Sequence, residues 1–163
     1  MPVSSEKGKE LIYNWFSEQN DIKTIVDLGC GSGTYPKLLG KGYVWKGVEI
    51  FAPYVAKFKL NELYDELIIG DIQHVNLPKG DCCIAGDVLE HIEKEGATRT
   101  FHKIDRQFKH VVVSMPINSR SQCTANNNQY ERHISVWSWE DMVEMMGHFK
   151  IKENYRTMGI FIR

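Results

Sequence analysis

The sequence lacks any apolar run that approaches the roughly 18 residues of a membrane-spanning helix. Its first residues contain no apolar core of the kind found in signal peptides. An excess of one charge is also missing, because 20 Lys and Arg face 21 Asp and Glu, for a formal net charge of -1. We therefore expect a cytoplasmic protein that enters no membrane and has no strong electrostatic attraction to nucleic acid.

Cysteine is scarce as well, with 4 residues in the chain. Cys82 and Cys83 are adjacent within an apolar run, whereas Cys30 and Cys123 stand apart from other cysteines. This spacing is neither that of a disulfide framework nor that of a zinc site. We predict that the thiols are small buried hydrophobic groups in a reducing compartment.

Internal repeats and linkers rich in Pro, Gly or Ser are absent too. Hydrophobic residues make up 42% and charged residues 25% of the chain, which is typical of globular domains. A length of 163 residues suits one domain that buries about two-thirds of its unfolded surface. Residues 1–163 are therefore predicted to form a single domain.

Short β-branched runs alternate with helical patterns, which is typical of βαβ units and a mainly parallel sheet. The predicted strands are residues 24–28, 44–50, 66–71, 81–86, 110–115, 149–155 and 158–162. The predicted helices are residues 5–19, a short segment ending at 39, a segment beginning near 53, residues 97–109, and a segment capped by Ser138 that ends at Gly147. Residues 117–133 are polar and aperiodic, and a loop of this length is more often functional than idle.

The strongest motif is the glycine turn, Gly29-Cys30-Gly31-Ser32-Gly33, which follows the first predicted strand. Glycines are needed where a strand turns sharply into a helix at positive φ, or where a ligand touches the backbone. The exposed amides and the helix N-terminus can hold an anionic group such as a carboxylate. The spacing differs from the Gly-x-Gly-x-x-Gly of dinucleotide binders, and the Gly-Lys-Ser/Thr of a P-loop is absent.

Acidic residues mark the ends of four predicted strands, and they are Asp27, Glu49, Asp71 and Asp87. In an open α/β sheet, ligands bind outside the carboxyl ends of the strands. A carboxylate at the end of the second strand can accept hydrogen bonds from both hydroxyls of a ribose. The pattern therefore predicts a nucleoside site at this edge of the sheet.

Together, the glycine turn and these acids resemble the class I S-adenosylmethionine-dependent methyltransferases of type 11/12. The resemblance implies a three-layer, Rossmann-like α/β fold whose mainly parallel seven-stranded sheet has an antiparallel last strand. It implies S-adenosylmethionine as the cofactor, with Glu49 on the ribose, Asp71 on the adenine amino group and Ile72 against the ring. The residues that it assigns to the cofactor are Asp27, Gly29, Cys30, Gly31, Gly33, Glu49, Ile50, Asp71, Ile72, Asp87 and Val88.

The resemblance also places the residues after the fourth strand beside the acceptor. Glu90 and His91 lie there, His133 ends the polar loop, and these three are the predicted catalytic residues. A general base is needed when the acceptor keeps its proton at neutral pH. Because the two histidines can serve as bases, we predict methyl transfer to a small-molecule or metabolite acceptor at oxygen.

Two alternatives stay open. Asp87-x-x-Glu90-His91 and the later His133 are somewhat similar to the metal site of RNA ribose 2′-O-methyltransferases. No metal is predicted here, because aspartate replaces the first glutamate of that site and its carboxylate is assigned to the cofactor. The other alternative is a non-catalytic module that binds the cofactor or a partner protein.

Four further side chains receive structural interpretations. Arg120 and Arg132 are able to bind a phosphate or carboxylate, but solvated arginines are the more ordinary expectation. Trp137 and Trp139 are predicted to anchor the hydrophobic core rather than to stack on a ligand.

Overall fold

The structure, a computed structural model, describes residues 5–119 and 128–163. Its strands are β1 (Thr24–Leu28), β2 (Val44–Glu49), β3 (Glu66–Ile69), β4 (Cys82–Gly86), β5 (His110–Pro116), β6 (Ile151–Asn154) and β7 (Met158–Ile162). Within the described residues they form one seven-stranded sheet in the order β3-β2-β1-β4-β5-β7-β6. The pairs among β1 to β5 are parallel, and β7 runs antiparallel to both β5 and β6. The predicted fold class, including its antiparallel last strand, is confirmed.

Helices cover both faces of the sheet. They are α1 (Lys9–Ser17), α2 (Thr34–Leu39), α3 (Pro53–Lys57), α4 (Lys94–Gln107) and α5 (Trp139–Met146). Side chains alternate between the two faces of a strand, so the sheet contributes to two separate cores. One core joins the sheet to α1, α2 and α3, and the other joins it to α4 and α5.

Some predicted boundaries are wrong by a few residues. The first helix begins at Lys9 rather than at residue 5, because Gly8 adopts a φ of 81° that a helix cannot contain. The helix predicted to begin at residue 97 begins at Lys94, since Gly96 is tolerated within its first turn. The sixth strand covers Ile151–Asn154 instead of residues 149–155.

Four of the predicted core residues, Cys30, Cys82, Cys83 and Trp137, are buried, whereas Trp139 is partly buried. Cys30, Cys82 and Cys83 are free buried thiols, and burial raises the pKa of each. Trp137 is buried, and the ring of Trp139 stacks on Phe161 with 5.1 Å between centroids. Cys123 lies outside the described residues. None of the described helices is long and apolar enough to cross a membrane.

The predicted N-cap of α5 is present. The Ser138 hydroxyl accepts a hydrogen bond from the Asp141 amide at 3.1 Å, and the Asp141 carboxylate accepts one from the Ser138 amide at 2.8 Å. This capping box satisfies two amides that the helix itself leaves unpaired.

We therefore expect Ser138→Ala to lower the free energy of unfolding by about 1 kcal/mol. Equilibrium denaturation in urea measures the change. Ser138→Asp, which keeps a side-chain acceptor at the cap, is the matched control and is expected to retain most of the stability. Equal losses in both variants would contradict the capping role.

Candidate active site

The order of the strands reverses between β1 and β4, which is where ligands bind in open α/β sheets. A cavity of about 660 Å³ lies there, beyond the carboxyl ends of β1 to β4. Most of the predicted site residues line it, namely Gly29, Cys30, Gly31, Glu49, Ile50, Asp71, Ile72, Asp87, Val88, Glu90, His91 and His133. Most of the predicted cofactor residues thus share one cavity with the predicted catalytic residues.

The glycine turn forms one wall of this cavity. Gly29 and Gly31 have φ values of 69° and 53°, in the left-handed region that favours glycine. A Cβ atom on Gly29 would lie 2.6 Å from Cγ2 of Val88, so a side chain there would also collide with the opposite wall. The turn is held from behind, because the Gly29 amide donates to the Val48 carbonyl at 2.8 Å.

Glu49 connects the end of β2 to the glycine turn. Its Oε2 accepts a hydrogen bond from the Gly31 amide at 2.9 Å, and its Oε1 accepts one from the Phe51 amide at 2.8 Å. Burial raises the pKa of this carboxyl, and the two amide donors partly oppose that shift. Each oxygen of a carboxylate has a second lone pair, so Glu49 keeps acceptor capacity for a ligand.

Asp87 follows β4 with a φ of 54°, a strained conformation for a residue other than glycine. Its Oδ2 accepts a hydrogen bond from the Ser5 amide at 2.8 Å, and its Oδ1 accepts one from the Ser114 hydroxyl at 3.4 Å. Strained backbone of this kind is concentrated at functional sites. These bonds orient the Asp87 carboxylate at the cavity wall.

Glu90, His91 and His133 form a second feature of the cavity, which we call the Glu-His cluster. Glu90 and His91 belong to a 3-10 turn, Leu89–His91, directly after β4. His133 comes from the distant polar segment, which is fixed to that turn because the Glu90 carbonyl accepts hydrogen bonds from the amides of Ile134 at 2.9 Å and Ser135 at 3.0 Å. The topology therefore assembles the three predicted catalytic residues.

Inside the cluster, Glu90 Oε1 lies 3.9 Å from Nε2 of His133 and 4.0 Å from Nε2 of His91. The two imidazole rings are 5.0 Å apart at 77°. Burial raises the pKa of Glu90 well above its usual value, and the nearby Asp87 charge adds to the rise. Burial and then His91 lower the pKa of His133. Both shifts favour the neutral forms of the two groups.

Residues 26–111 match the family profile of a methyltransferase domain. The chain belongs to this family. The matched stretch contains the glycine turn, Glu49, Asp71 and the turn that carries Glu90 and His91. The match confirms the resemblance to S-adenosylmethionine-dependent methyltransferases and makes this chain one of them. No match was found among curated proteins.

Solved structures agree on the fold. An S-adenosylmethionine-dependent methyltransferase from Clostridium acetobutylicum is similar at 15% identity and a TM-score of 0.73, over 96% of this chain and 90% of that one. The magnesium protoporphyrin IX methyltransferase from Synechocystis, with S-adenosylhomocysteine bound, is similar at 14% identity and a TM-score of 0.71, over 96% of this chain and 81% of that one. Identities this low establish the fold alone.

Two of the residues assigned to the cofactor do not line the cavity of this methyltransferase. Asp27 is buried behind the glycine turn, where its Oδ2 accepts a hydrogen bond from the Tyr64 hydroxyl at 2.5 Å. Burial raises its pKa to about 7. Gly33 is the N-cap of α2, and a Cβ atom there would collide with Leu63. The positions of both residues suit support of the turn rather than contact with a ligand.

The acid after β3 does reach the cavity. Asp71 accepts a hydrogen bond from the Gln73 amide at 2.8 Å, and its carboxylate lies 3.2 Å from Nδ1 of His74. Ile72 is buried beside it. These partners fix the carboxylate at the edge of the cavity, next to an apolar side chain that is suited to the face of a ring.

Several residues that line the cavity were not predicted from the sequence, and Glu131 and Tyr54 are two of them. The Tyr54 hydroxyl donates to Oε1 of the buried Glu131 at 2.9 Å. The length and polarity of residues 117–133 pointed to that segment, but not to Glu131 within it. Arg132 is exposed and contributes only its carbonyl, 3.0 Å from Nδ1 of His91. Arg120 lies outside the described residues.

Proposed function

We propose that this methyltransferase transfers the methyl group of S-adenosylmethionine to a hydroxyl oxygen of a small-molecule acceptor. The observation that carries the proposal is the single cavity in which the glycine turn and Glu49 share walls with the Glu-His cluster. A cofactor site and a group of proton acceptors are both required, and they must lie within reach of each other.

The residues present fit the cofactor. Gly29 and Gly31 line the cavity at positive φ, so a ligand can approach their backbone without meeting a side chain. The described lining includes the carboxylates of Glu49, Asp71 and Asp87 but no Lys or Arg. S-adenosylmethionine carries a sulfonium and an ammonium group, so an acidic lining is electrostatically complementary to it. A cavity of about 660 Å³ also falls in the range of small-molecule sites.

We assign a role to each group of residues at the cofactor site. Glu49 holds the ribose hydroxyls, Asp71 binds the adenine amino group, and Ile72 packs against the ring. The glycine turn lies against the methionine portion, and its backbone can approach the ligand closely because Gly29 and Gly31 have no side chains. Asp27 and Gly33 keep the turn in shape from behind. The bound cofactor supplies an electrophilic methyl group on a positively charged sulfur.

The Glu-His cluster serves the acceptor. A hydroxyl keeps its proton at neutral pH, so transfer to oxygen requires a group that accepts this proton. The lowered pKa of His133 leaves its imidazole neutral and able to do so. Glu90 Oε1 lies 3.9 Å from Nε2 of His133, so this oxygen faces the imidazolium that forms. His91 completes the polar wall on the other side.

A small acceptor is favoured over RNA by the charge of the site. The described lining of the cavity carries no Lys or Arg, whereas RNA-binding grooves depend on such residues. The formal net charge of -1 also disfavours RNA as the acceptor. We further propose that residues 1–163 act as one domain, and that it works in the cytoplasm, where its free thiols stay reduced.

The cofactor site is tested by calorimetric titration with S-adenosylmethionine and S-adenosylhomocysteine. We expect Glu49→Ala to weaken binding of both by about 1.5–3 kcal/mol, which is about 10- to 150-fold in Kd, because hydrogen bonds to a charged group are lost. Glu62→Ala, which removes an exposed glutamate of a 3-10 turn, is the matched control. A Kd that does not change in Glu49→Ala would refute the ribose assignment.

The acceptor is tested with S-adenosylmethionine that carries a labelled methyl group. Panels of hydroxylated metabolites and of short RNAs are offered to the protein, and the products are read by mass spectrometry. We expect label on the oxygen of a small molecule. Label on RNA ribose would favour the alternative acceptor, and tight cofactor binding without any transfer would favour the non-catalytic module.

A further inference from the structure

The Glu-His cluster brings together a carboxyl oxygen and two imidazole nitrogens, each of a type that can ligate a metal ion. Nδ1 of His91 lies 3.0 Å from the Arg132 carbonyl. A carbonyl oxygen cannot donate, so Nδ1 carries the hydrogen and Nε2 of the neutral ring holds a lone pair. That Nε2 faces Glu90 Oε1 at 4.0 Å. Nε2 of His133 faces the same oxygen at 3.9 Å. No hydrogen bond joins these three side chains to one another at such distances.

Glu90 adds an unpaired acceptor to this arrangement. Its side chain is 2% exposed, and its Oε2 has no hydrogen-bond partner among the described residues. A buried polar oxygen without a hydrogen-bond partner is unfavourable. The cluster lines the cavity, so a cation that reaches it there can satisfy the carboxylate and both imidazoles at once.

We propose that Glu90, His91 and His133 bind a divalent transition-metal ion. The three ligand atoms lie within 4.8 Å of one another. Bonds of about 2.0–2.2 Å place two ligands of one ion no more than about 4.4 Å apart, and both separations measured from Glu90 meet that limit. The carbonyl behind His91 is the usual outer partner of a histidine that ligates a metal.

The ligand types select the class of ion. Two imidazoles with one carboxylate suit Mn²⁺, Fe²⁺, Co²⁺ or Zn²⁺ better than Mg²⁺ or Ca²⁺, which prefer oxygen. Three protein ligands leave coordination positions open toward the cavity. Asp87 is not part of the set, since its carboxylate is bound by Ser5 and Ser114. Asp87 was the residue whose identity spoke against a metal in the sequence, and the three proposed ligands do not include it.

The proposed ion site extends the proposed function. It rests on that function only for the role of the ion in methyl transfer. An acceptor hydroxyl that coordinates a bound ion has a lowered pKa. The cluster would then promote loss of the proton by holding the ion, with water able to take the proton away. Binding of the ion itself requires neither cofactor nor acceptor, and this separates the two proposals experimentally.

The test uses the full chain without a histidine tag, stripped with a chelator and titrated with Co²⁺. Its visible ligand-field spectrum reports coordination, and calorimetry with Zn²⁺ and Mn²⁺ gives the stoichiometry. We expect one ion per chain. His133→Ala, His91→Ala and Glu90→Gln should each raise Kd at least about tenfold. His102→Ala removes an exposed histidine of α4 and is the matched control.

A folded protein that shows no saturable binding overturns the proposal, and so does a Kd that is equal in the wild type and in His91→Ala. The partly exposed His91 makes this variant decisive if Glu90→Gln fails to fold. Titration of the same samples with S-adenosylmethionine separates the two proposals. Cofactor binding without ion binding refutes the ion alone, whereas ion binding without cofactor binding refutes the proposed function.

Discussion

His133→Ala is expected to lower kcat for methyl transfer by about 100-fold or more, which is the usual contribution of a positioned general base. The imidazole is buried, its Nε2 faces Glu90, and its lowered pKa keeps it neutral near pH 7. The loss is expected whether His133 takes the proton or holds the proposed ion. Steady-state rates with the acceptor identified by the labelling screen measure the effect.

Two further measurements separate catalysis from folding. The Kd for S-adenosylmethionine should change little in His133→Ala, because Glu49 and the glycine turn remain intact. The wild-type rate should fall as the pH is lowered through the pKa of His133, which lies below the usual 6.5, since the protonated ring has lost its lone pair. His102→Ala serves again as the control. A rate in His133→Ala close to that of the wild type would exclude a catalytic role.

The sequence predicted the fold well because its determinants are local. Runs of β-branched residues mark the buried parallel strands, and the glycine turn marks the passage from β1 to α2. The boundaries that failed depend on single backbone conformations, such as the positive φ of Gly8 before α1. A residue's type limits its φ but does not determine it, so pattern alone could not place these ends.

The candidate site was harder to predict because it depends on where side chains point and on contacts between residues that are distant in the sequence. Asp27 was grouped with Glu49 as a strand-end acid. Its side chain instead shares the face of Ile25, in the core that contains Tyr64, because side chains alternate along a strand. Glu131 lines the cavity, where it accepts a hydrogen bond from the hydroxyl of Tyr54, 77 residues away in the chain. No spacing in the sequence encodes either fact.

The strands that carry the site pack on the core beneath α4. We therefore expect a large loss of stability when a buried side chain of this core is removed. Phe101→Ala should lower the free energy of unfolding by about 3–5 kcal/mol. The ring is fully buried in the core shared by α4, β4 and β5, and it packs against Phe149 with 5.7 Å between centroids. Denaturant unfolding followed by circular dichroism measures the loss.

Tyr13→Ala is the matched control for this change. It also removes an aromatic ring from a helix, but the Tyr13 side chain is 50% exposed. Its loss should be well below that of Phe101→Ala, and similar losses would contradict the burial argument. A loss of 3–5 kcal/mol approaches the whole stability of many domains, so Phe101→Leu provides a milder variant. Phe101 does not line the cavity. The folded fraction should therefore bind S-adenosylmethionine normally, because the core supports the strands while the residues at their carboxyl ends form the site.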